Sequence, residues 1–326
     1  IINFESVRPS EEFNGYGRVT VGEVGTLNVE GALGGSLNSA DTLMGRLSVF
    51  SLNRDDWIDN GFTGESDALG ENKDVAVRAQ LLFAPSDTFS ALLAFIWRVY
   101  EGTSEIFRAN VLDTGSNSLN ENFDRDTVFF NEGDNNPQEA EHTGISLKLD
   151  WDFADNLTLT SITAFQDAED RSLGDIDGGF EIPDPNNPPD GVITGPGFIL
   201  FQSVTQDSIN DLEQFTQELR LSSQASDRLF WQAGLFYFDD SYDVETAPFF
   251  IPPTTRRHEN TSWALFGQFS YDMSDTWNLT AGVRYTDDEK DLTDPPTNIG
   301  IFSFDPVNVQ DDEVSWDVSL IWSPSD

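Results

Sequence analysis

The sequence contains no cysteine and only two histidines, His142 and His258, among its 326 residues. Without cysteine there is no disulfide framework, no cysteine-ligated metal and no thiol nucleophile. Two histidines leave almost no material for imidazole catalysis or for a multi-histidine metal site. We therefore expect a protein that is not an enzyme, and we assign no catalytic, cofactor-binding or metal-binding residue.

Basic residues are scarce as well, because 17 Lys and Arg stand against 58 Asp and Glu, for a formal net charge of −41. Nucleic-acid binding needs clustered cations that release counterions from phosphates, and no segment here supplies a basic stripe. We therefore expect no nucleic-acid partner. The chain is not a disordered acidic tail, since 38% of its residues are hydrophobic and 12% are aromatic.

Long hydrophobic runs are also missing, which excludes helical membrane spans of 18 or more apolar residues. Strict alternation of apolar and polar residues is present instead, and it predicts β-strands. The clearest case is 277–286, where Trp277, Ala281 and Tyr285 share one parity and Thr280 and Arg284 share the other. Eleven further segments show the same pattern, at 15–21, 27–37, 43–49, 75–83, 89–99, 145–153, 157–165, 215–221, 229–238, 263–271 and 314–322.

A short turn motif joins these predicted strands in pairs. It consists of a small residue, Asp, any residue and a large apolar residue, and Asp suits tight turns because its carboxylate accepts from nearby backbone N–H groups. The motif is centred on Asp41, Asp87, Asp155, Asp227 and Asp275, and residues 325–326 begin another copy. The opposite connections include long, acidic loops at 101–142 and 166–213. Short turns at one end and long loops at the other are typical of outer-membrane barrels.

A soluble β-sandwich, such as a secreted adhesin, also has alternating strands, so alternation alone does not decide the fold. Three features favour a membrane barrel. Aromatic residues stand near strand ends, as at Trp316 and Trp322. The alternation persists for about nine residues, which a tilted strand needs to cross a bilayer. Long cations stand at the centres of polar faces. We predict an all-β, antiparallel, up-and-down transmembrane β-barrel, with the sandwich as the alternative.

Two acidic segments, 131–135 and 175–179, have a weak similarity to calcium loops. Neither has the full loop spacing that ends in a bidentate Glu. We therefore interpret both as acidic, solvated loop segments without a metal.

Several segments resemble one known family. The opening Ile1-Ile2-Asn3-Phe4 and the stretch 7–16, from Val7 to Tyr16, resemble the place where the plug domain ends and the first barrel strand begins in TonB-dependent outer-membrane receptors. Segments that resemble recurring barrel strands of that family are 157–165, 213–221, 263–269 and 279–285. The resemblance covers essentially the whole chain.

The resemblance implies a 22-stranded barrel with a plugged lumen, of which this chain would be a fragment. Residues 1–12 would be the end of the plug and its connection, and residues 13–326 the N-terminal half of the barrel, with about 12 strands. The implied function is import of a scarce solute, such as a ferric siderophore, a cobalamin or an oligosaccharide, across the bacterial outer membrane. The implied partners are a TonB-type energising protein, acting through a segment before Ile1, and outer-membrane lipid with lipopolysaccharide. A passive porin remains the alternative function.

The cations on the polar faces are the candidate lumen-facing residues. They either pair with neighbouring carboxylates, such as Glu30, Asp150 and Glu218, or guide an anionic ligand. The resemblance implies a further role, which is to hold the plug. The candidates are Arg18, Arg46, Arg78, Arg98, Lys148, Arg220 and Arg284.

Overall fold

The computed structural model describes residues 5–131, 133–178, 204–248, 252–294, 303 and 305–324. The similarity at residues 1–4 and the turn copy at 325–326 lie outside these ranges. The described residues form β-strands and one turn of 3-10 helix, Gly133–Asn135. No helix in these ranges is long and apolar enough to cross a bilayer.

Fifteen strands occur in the described ranges. They are β1 (Asn14–Val21), β2 (Leu27–Ser36), β3 (Leu43–Arg54), β4 (Ile58–Asn60), β5 (Glu65–Leu69), β6 (Asn72–Ser86), β7 (Phe89–Thr103), β8 (Thr127–Val128), β9 (Pro137–Ala154), β10 (Leu157–Asp175), β11 (Val204–Ser226), β12 (Leu229–Ala247), β13 (Thr254–Ser274), β14 (Trp277–Thr293) and β15 (Val307–Trp322).

Twelve of these strands form one antiparallel sheet in the order β1-β2-β3-β6-β7-β9-β10-β11-β12-β13-β14-β15. Each of the twelve predicted strands is present, and each pairs with its neighbours along the chain, so the predicted all-β up-and-down architecture is confirmed. The remaining strands form a small second sheet in the order β5-β4-β8, which the alternation did not predict.

The pairing register places the apolar positions of neighbouring strands on the same side of the large sheet. Leu265 pairs with Leu235 and with Tyr285. Leu235 and Leu265 remain 52% and 54% exposed, and Val283 remains 54% exposed. We call this side the apolar face and the opposite side the polar face. A β-sandwich buries such a face under a second sheet, and the described residues contain no second sheet of that size, so the sandwich alternative is wrong.

Aromatic side chains on the apolar face lie at two levels, one at the turn-motif end of the strands and one near the middle of β13 and β14. The rings of Trp277 and Trp322 are 5.9 Å apart at the first level, and those of Trp263 and Tyr285 are 5.3 Å apart at the second. Apolar side chains such as Val283 lie between the two aromatic pairs. An apolar band between two aromatic girdles is the outer surface of a membrane barrel.

The strands are longer than the alternation predicted, and the loop bounds 101–142 and 166–213 were therefore wrong. β9 begins at Pro137, β10 continues to Asp175, and β11 spans 23 residues. Beyond the aromatic positions both faces are polar, so the alternation disappears although the backbone ladder continues. Alternation of apolar and polar residues therefore predicts only the lipid-facing part of a strand, which is shorter than the whole strand.

The Asp motifs form tight turns at one end of the sheet. Only two residues separate β6 from β7, β9 from β10, β11 from β12 and β13 from β14. In the β9–β10 turn, Asn156 has a φ of 63°, a left-handed conformation that Asn adopts more readily than most residues. Because the sheet is an antiparallel meander, all these turns lie at one end, which we call the turn end. The longer connections lie at the opposite loop end.

Candidate functional site

Four of the seven candidate cations form ion pairs with carboxylates on the polar face. Their positions follow from the register, because partners lie two residues apart on one strand or on adjacent paired strands. The pairs are Arg18 with Glu30 at 2.7 Å, Arg98 with Asp74 at 2.7 Å, Lys148 with Asp150 at 3.3 Å and Arg220 with Glu218 at 3.3 Å. Such partly exposed pairs contribute at most about 1 kcal/mol each to stability. In each pair the carboxylate nevertheless neutralises the charge of the cation.

Arg46 and Arg78 are not neutralised in this way. Arg46 donates a hydrogen bond from Nη1 to Asn14 Oδ1 at 2.8 Å, and Arg78 donates from Nη1 to Ser6 Oγ. Within the described ranges neither guanidinium has a carboxylate within 4.0 Å. Both side chains therefore keep a net positive charge on the polar face.

The segment before β1 lies against these two arginines. Ser6 and Val7 line a cavity of about 280 Å³ on the polar face, together with Arg46, Arg78 and Gln80. Pro9 of the same segment is buried. A chain segment that enters the sheet thus first crosses its polar face.

Arg284 is the third unneutralised cation, and aromatic rings surround it. Its guanidinium carbon lies 5.6 Å from the ring centroid of Phe236 and 5.9 Å from that of Phe266, and its Nε donates to Thr286 Oγ1 at 3.0 Å. No carboxylate of the described residues lies within 4.0 Å of it. Arg284 also lines a cavity of about 410 Å³ between β13, β14 and β15, beside Asp317.

A further cavity of about 310 Å³ lies on the polar face near the loop end. It is lined by side chains of β7, β9 and β10, which include Tyr100, Gln138, His142 and Asp170. His142 Nε2 lies 3.2 Å from Gln166 Oε1. No motif or spacing in the sequence singles out these residues.

The small sheet has a hydrophobic core of its own at the loop end. Ile58, Leu69, Val128 and Phe130 are each at most 1% exposed, and Trp57 packs against them. We call this region, formed by 55–71, 104–131 and 133–136, the rim unit. Its strands are too short and too distant in sequence for periodicity to detect, since β4 pairs with β8 through Asp59 and Thr127.

Asn60 lies at the centre of the rim unit and is 1% exposed. Its Nδ2 donates to the carbonyl of Phe130 at 2.8 Å and to Asn135 Oδ1 at 2.8 Å. Its Oδ1 accepts from the amides of Phe62 at 3.0 Å and Phe130 at 3.2 Å. One buried side chain thus joins the two loops that precede β6 and β9.

The two segments interpreted as solvated acidic loops meet beside the rim unit, and that interpretation was wrong for Asp175 and Asp177, which are both fully buried. Asp175 Oδ2 accepts from the amide of Asn131 at 2.9 Å, and its backbone N–H donates to Asn136 Oδ1 at 2.8 Å. Among the described residues no three His, Cys, Asp or Glu side chains are grouped to hold a metal ion.

Arg108 stabilises the outer part of the rim unit without an ion pair in the described ranges. It donates to the carbonyls of Asp124 at 2.9 Å and Arg125 at 2.6 Å, and it lies 5.7 Å from the ring centroid of Phe123. Burial lowers the pKa of its guanidinium from the usual value, although the side chain remains charged at neutral pH. The role of Arg108 is therefore structural.

Known structures share this architecture. The ferric yersiniabactin uptake receptor FyuA from Yersinia pestis superposes with a TM-score of 0.76 at 15% identity over 98% of this chain and 46% of its own. The siderophore receptor PiuA from Acinetobacter baumannii gives 0.73 at 12% identity, over 98% and 48%. The copper transporter OprC gives 0.61 at 12% identity, over 99% and 44%. The chain thus spans just under half the length of these proteins. No curated protein matches the sequence.

Residues 97–326 match the protein family described as "TonB dependent receptor-like, beta-barrel". The match covers β8 to β15 and the last part of β7. Both aromatic pairs of the apolar face and Arg284 lie within it. The family and the fold are those of receptors and transporters rather than enzymes. The chain belongs to the TonB-dependent receptor family and contributes part of its β-barrel.

Proposed function

We propose that this chain is the N-terminal half of the 22-stranded barrel of a TonB-dependent importer in the bacterial outer membrane. Residues 1–12 would be the end of the plug and its connection, and residues 13–326 would be barrel. The observation that carries the proposal is the contact of Ser6 with Arg78 on the polar face. A segment that leaves a lumenal plug has to cross this face before it enters β1.

Arg46, Arg78 and Arg284 are then the residues that hold the plug. They keep their positive charge, unlike the four ion-paired cations. Hydrogen bonds of partly exposed groups contribute about 0.5–1.5 kcal/mol each, so a few of them position a plug and still allow it to move. The energising protein acts on the plug from the periplasm, and no residue of the barrel wall has to perform that step.

The roles of these cations can be tested in the full-length receptor with a double variant, Arg46→Gln with Arg78→Gln. We expect a loosened plug and greater entry of a large antibiotic such as vancomycin, measured as growth inhibition. The matched control is Arg18→Gln, which removes a cation that is paired with Glu30 on the same face. Equal sensitivity of the double variant and the control would contradict the plug-holding role.

The loop end would face the cell surface and contact lipopolysaccharide, and the turn end would face the periplasm. Short periplasmic turns and long outer loops support this orientation. An epitope tag inserted at Gly115, in the exposed turn of the loop before β8, should bind antibody on intact cells. A tag beside Asp227, in a two-residue turn, should bind only after permeabilisation. The reverse labelling would show that the orientation is wrong.

The cargo would be a scarce solute such as a ferric siderophore, a cobalamin or an oligosaccharide. FyuA and PiuA are described as siderophore receptors and OprC as a copper transporter, so this fold alone does not fix the cargo. Deletion of the full-length gene should impair growth on one limiting nutrient, and deletion of the energising protein should impair it equally. Growth that depends on this gene but not on the energising protein would favour a passive porin.

A further inference from the structure

We propose that the cavity formed by Tyr100, Gln138, His142 and Asp170 binds a protonated amine of the entering solute. This inference rests on the proposed transport function, because it requires that the solute passes along the polar face. It adds a chemical class of solute and a binding site, neither of which the fold determines.

The position of the cavity places it in the aqueous part of the solute path. Asp170 lies on β10, five residues beyond Phe165, the last exposed aromatic of that strand's apolar face. At the same level the other side of the sheet carries Asp167, Glu169 and Glu139, whose charges do not fit a lipid environment. The cavity therefore lies beyond the bilayer core, on the side of the sheet that would face the lumen.

The charges around the cavity favour a cation. Its one guanidinium, that of Arg98, donates two hydrogen bonds to the carboxylate of Asp74, at 2.9 Å and 2.7 Å. This bidentate pair is neutral as a unit. The carboxylate of Asp170 forms no hydrogen bond or ion pair with another described residue. The net charge of these groups is negative.

The uncharged groups suit the same ligand. An ammonium group has three N–H donors and needs acceptors. Asp170 supplies carboxylate oxygens, Gln138 an amide oxygen and Tyr100 a hydroxyl oxygen, and all three side chains line the cavity. The imidazole of His142 is held on one side by Gln166 at 3.2 Å. A cavity of about 310 Å³ has room for an aminoalkyl group but not for a whole large chelate.

The electrostatic field of the whole chain also favours a positively charged ligand. A net charge of −41, with long acidic loops at the loop end, raises the local concentration of cations and repels anions at low ionic strength. Long-range attraction by the loops and ion pairing with Asp170 thus both favour a positively charged solute. An amine-bearing solute would be attracted first by the loops and then held at the wall.

The test measures binding of spermine to the full-length receptor in detergent by equilibrium dialysis at low ionic strength. The variant is Asp170→Asn, and the matched control is Asp167→Asn on the opposite face of β10. Both substitutions remove one carboxylate and change the long-range field equally. We expect Asp170→Asn to weaken spermine binding about tenfold, which corresponds to about 1.4 kcal/mol, and Asp167→Asn to change it by less than about twofold.

A second variant, Gln138→Leu, removes an uncharged acceptor and should weaken spermine binding about threefold. Equal affinities of wild type, Asp170→Asn and Gln138→Leu would overturn the inference. So would equal binding of 1,10-decanediol, a chain of similar length without charge. These outcomes leave energy-dependent uptake untouched, because uptake is tested separately by deletion of the energising protein. Conversely, energy-independent uptake with intact spermine binding would contradict the proposed function alone.

Discussion

The large sheet and the rim unit bury their side chains in opposite ways. The largest fully buried side chains of the described residues belong to the rim unit and the adjoining end of β10, as with Phe130, Ile58 and Leu69. The buried apolar side chains of the twelve-stranded sheet are few and smaller, namely Ala32, Met44 and Ala264. The sheet presents its large apolar side chains outward instead. One chain thus contains a region built for lipid and a region built for water.

The two regions also differ in what stabilises them. The rim unit follows the rule for water-soluble proteins, because removal of apolar surface from water is its main driving force. The strands of the sheet satisfy one another's backbone groups through a continuous ladder, as hydrocarbon requires. Substitutions in the two regions should therefore have different consequences in different solvents.

The largest effect is expected for Phe130→Ala in the core of the rim unit. Removal of this fully buried ring should destabilise the rim unit by about 3–5 kcal/mol and leave the large sheet folded. Hydrogen exchange of the amides of β4, β5 and β8 in the full-length receptor measures this change. The control, Phe62→Ala, removes a ring that is 37% exposed and should cost much less. Loss of protection throughout the large sheet would show that the two regions do not fold separately.

A slightly smaller effect is expected on the apolar face. Ala281→Arg places a charge between the aromatic girdles and should cost about 2–4 kcal/mol if residue 281 lies near the bilayer midplane. Thr280→Arg, one residue away on the polar face, should cost much less. Denaturant unfolding of the full-length receptor in lipid vesicles measures both. Equal costs would contradict the assignment of faces.

Removal of the Asn60 side chain, at the centre of the rim unit, should destabilise the rim unit by less. Asn60→Ala removes the hydrogen bonds to the amide and the carbonyl of Phe130, and a typical hydrogen bond contributes about 0.5–1.5 kcal/mol. Hydrogen exchange of β4 and β8 should increase accordingly. Asn122→Ala removes only an exposed bond to the carbonyl of Asn110 and is the control. A change no larger than that of the control would show that Asn60 is not the link between the two loops.

The smallest effect concerns Asp56. Burial raises the pKa of its carboxyl above the usual aspartate range, so the ionised form is less stable in the folded rim unit than in the opened one. This cost arises as the pH rises through the usual aspartate range and is fully present at pH 7. In the wild type, Asp56 Oδ1 accepts from the amide of Glu71 at 2.8 Å, and Asp56→Asn keeps an oxygen acceptor at this position. The β5 amides of the variant should be slightly better protected from hydrogen exchange than those of the wild type at pH 7. Below about pH 3 the two proteins should be equally protected. Weaker protection at pH 7 would contradict the sign of the shift.

The strand centres could be predicted from the sequence because lipid imposes a period of two on them. Residues 277–285 show it most clearly, since every odd position is apolar and the observed register keeps them on one face. Two ion pairs could also have been predicted from spacing, because Lys148 and Asp150, like Arg220 and Glu218, lie two residues apart on one strand. Residues at that spacing point to the same face.

The rim unit and the amine-binding cavity could not be predicted in this way. β8 has two residues, and its pairing with β4 connects positions more than sixty residues apart, so no local pattern records it. The cavity requires the register of β7, β9 and β10, which places His142 opposite Arg98 on one side and opposite Ala168 on the other. The polar ends of the strands lack alternation because water reaches both of their faces.

The central claim is that one face of this sheet meets lipid and the other meets a water-filled lumen. These 326 residues contain no cysteine. With any cysteine elsewhere in the full-length receptor replaced by serine, a nitroxide label can be attached to single cysteines placed in turn at positions 279 to 284, in a bilayer. We expect the label to collide often with oxygen, which concentrates in lipid, at positions 279, 281 and 283, and rarely at positions 280, 282 and 284. Equal collision rates at all six positions, or the opposite alternation, would contradict the claim.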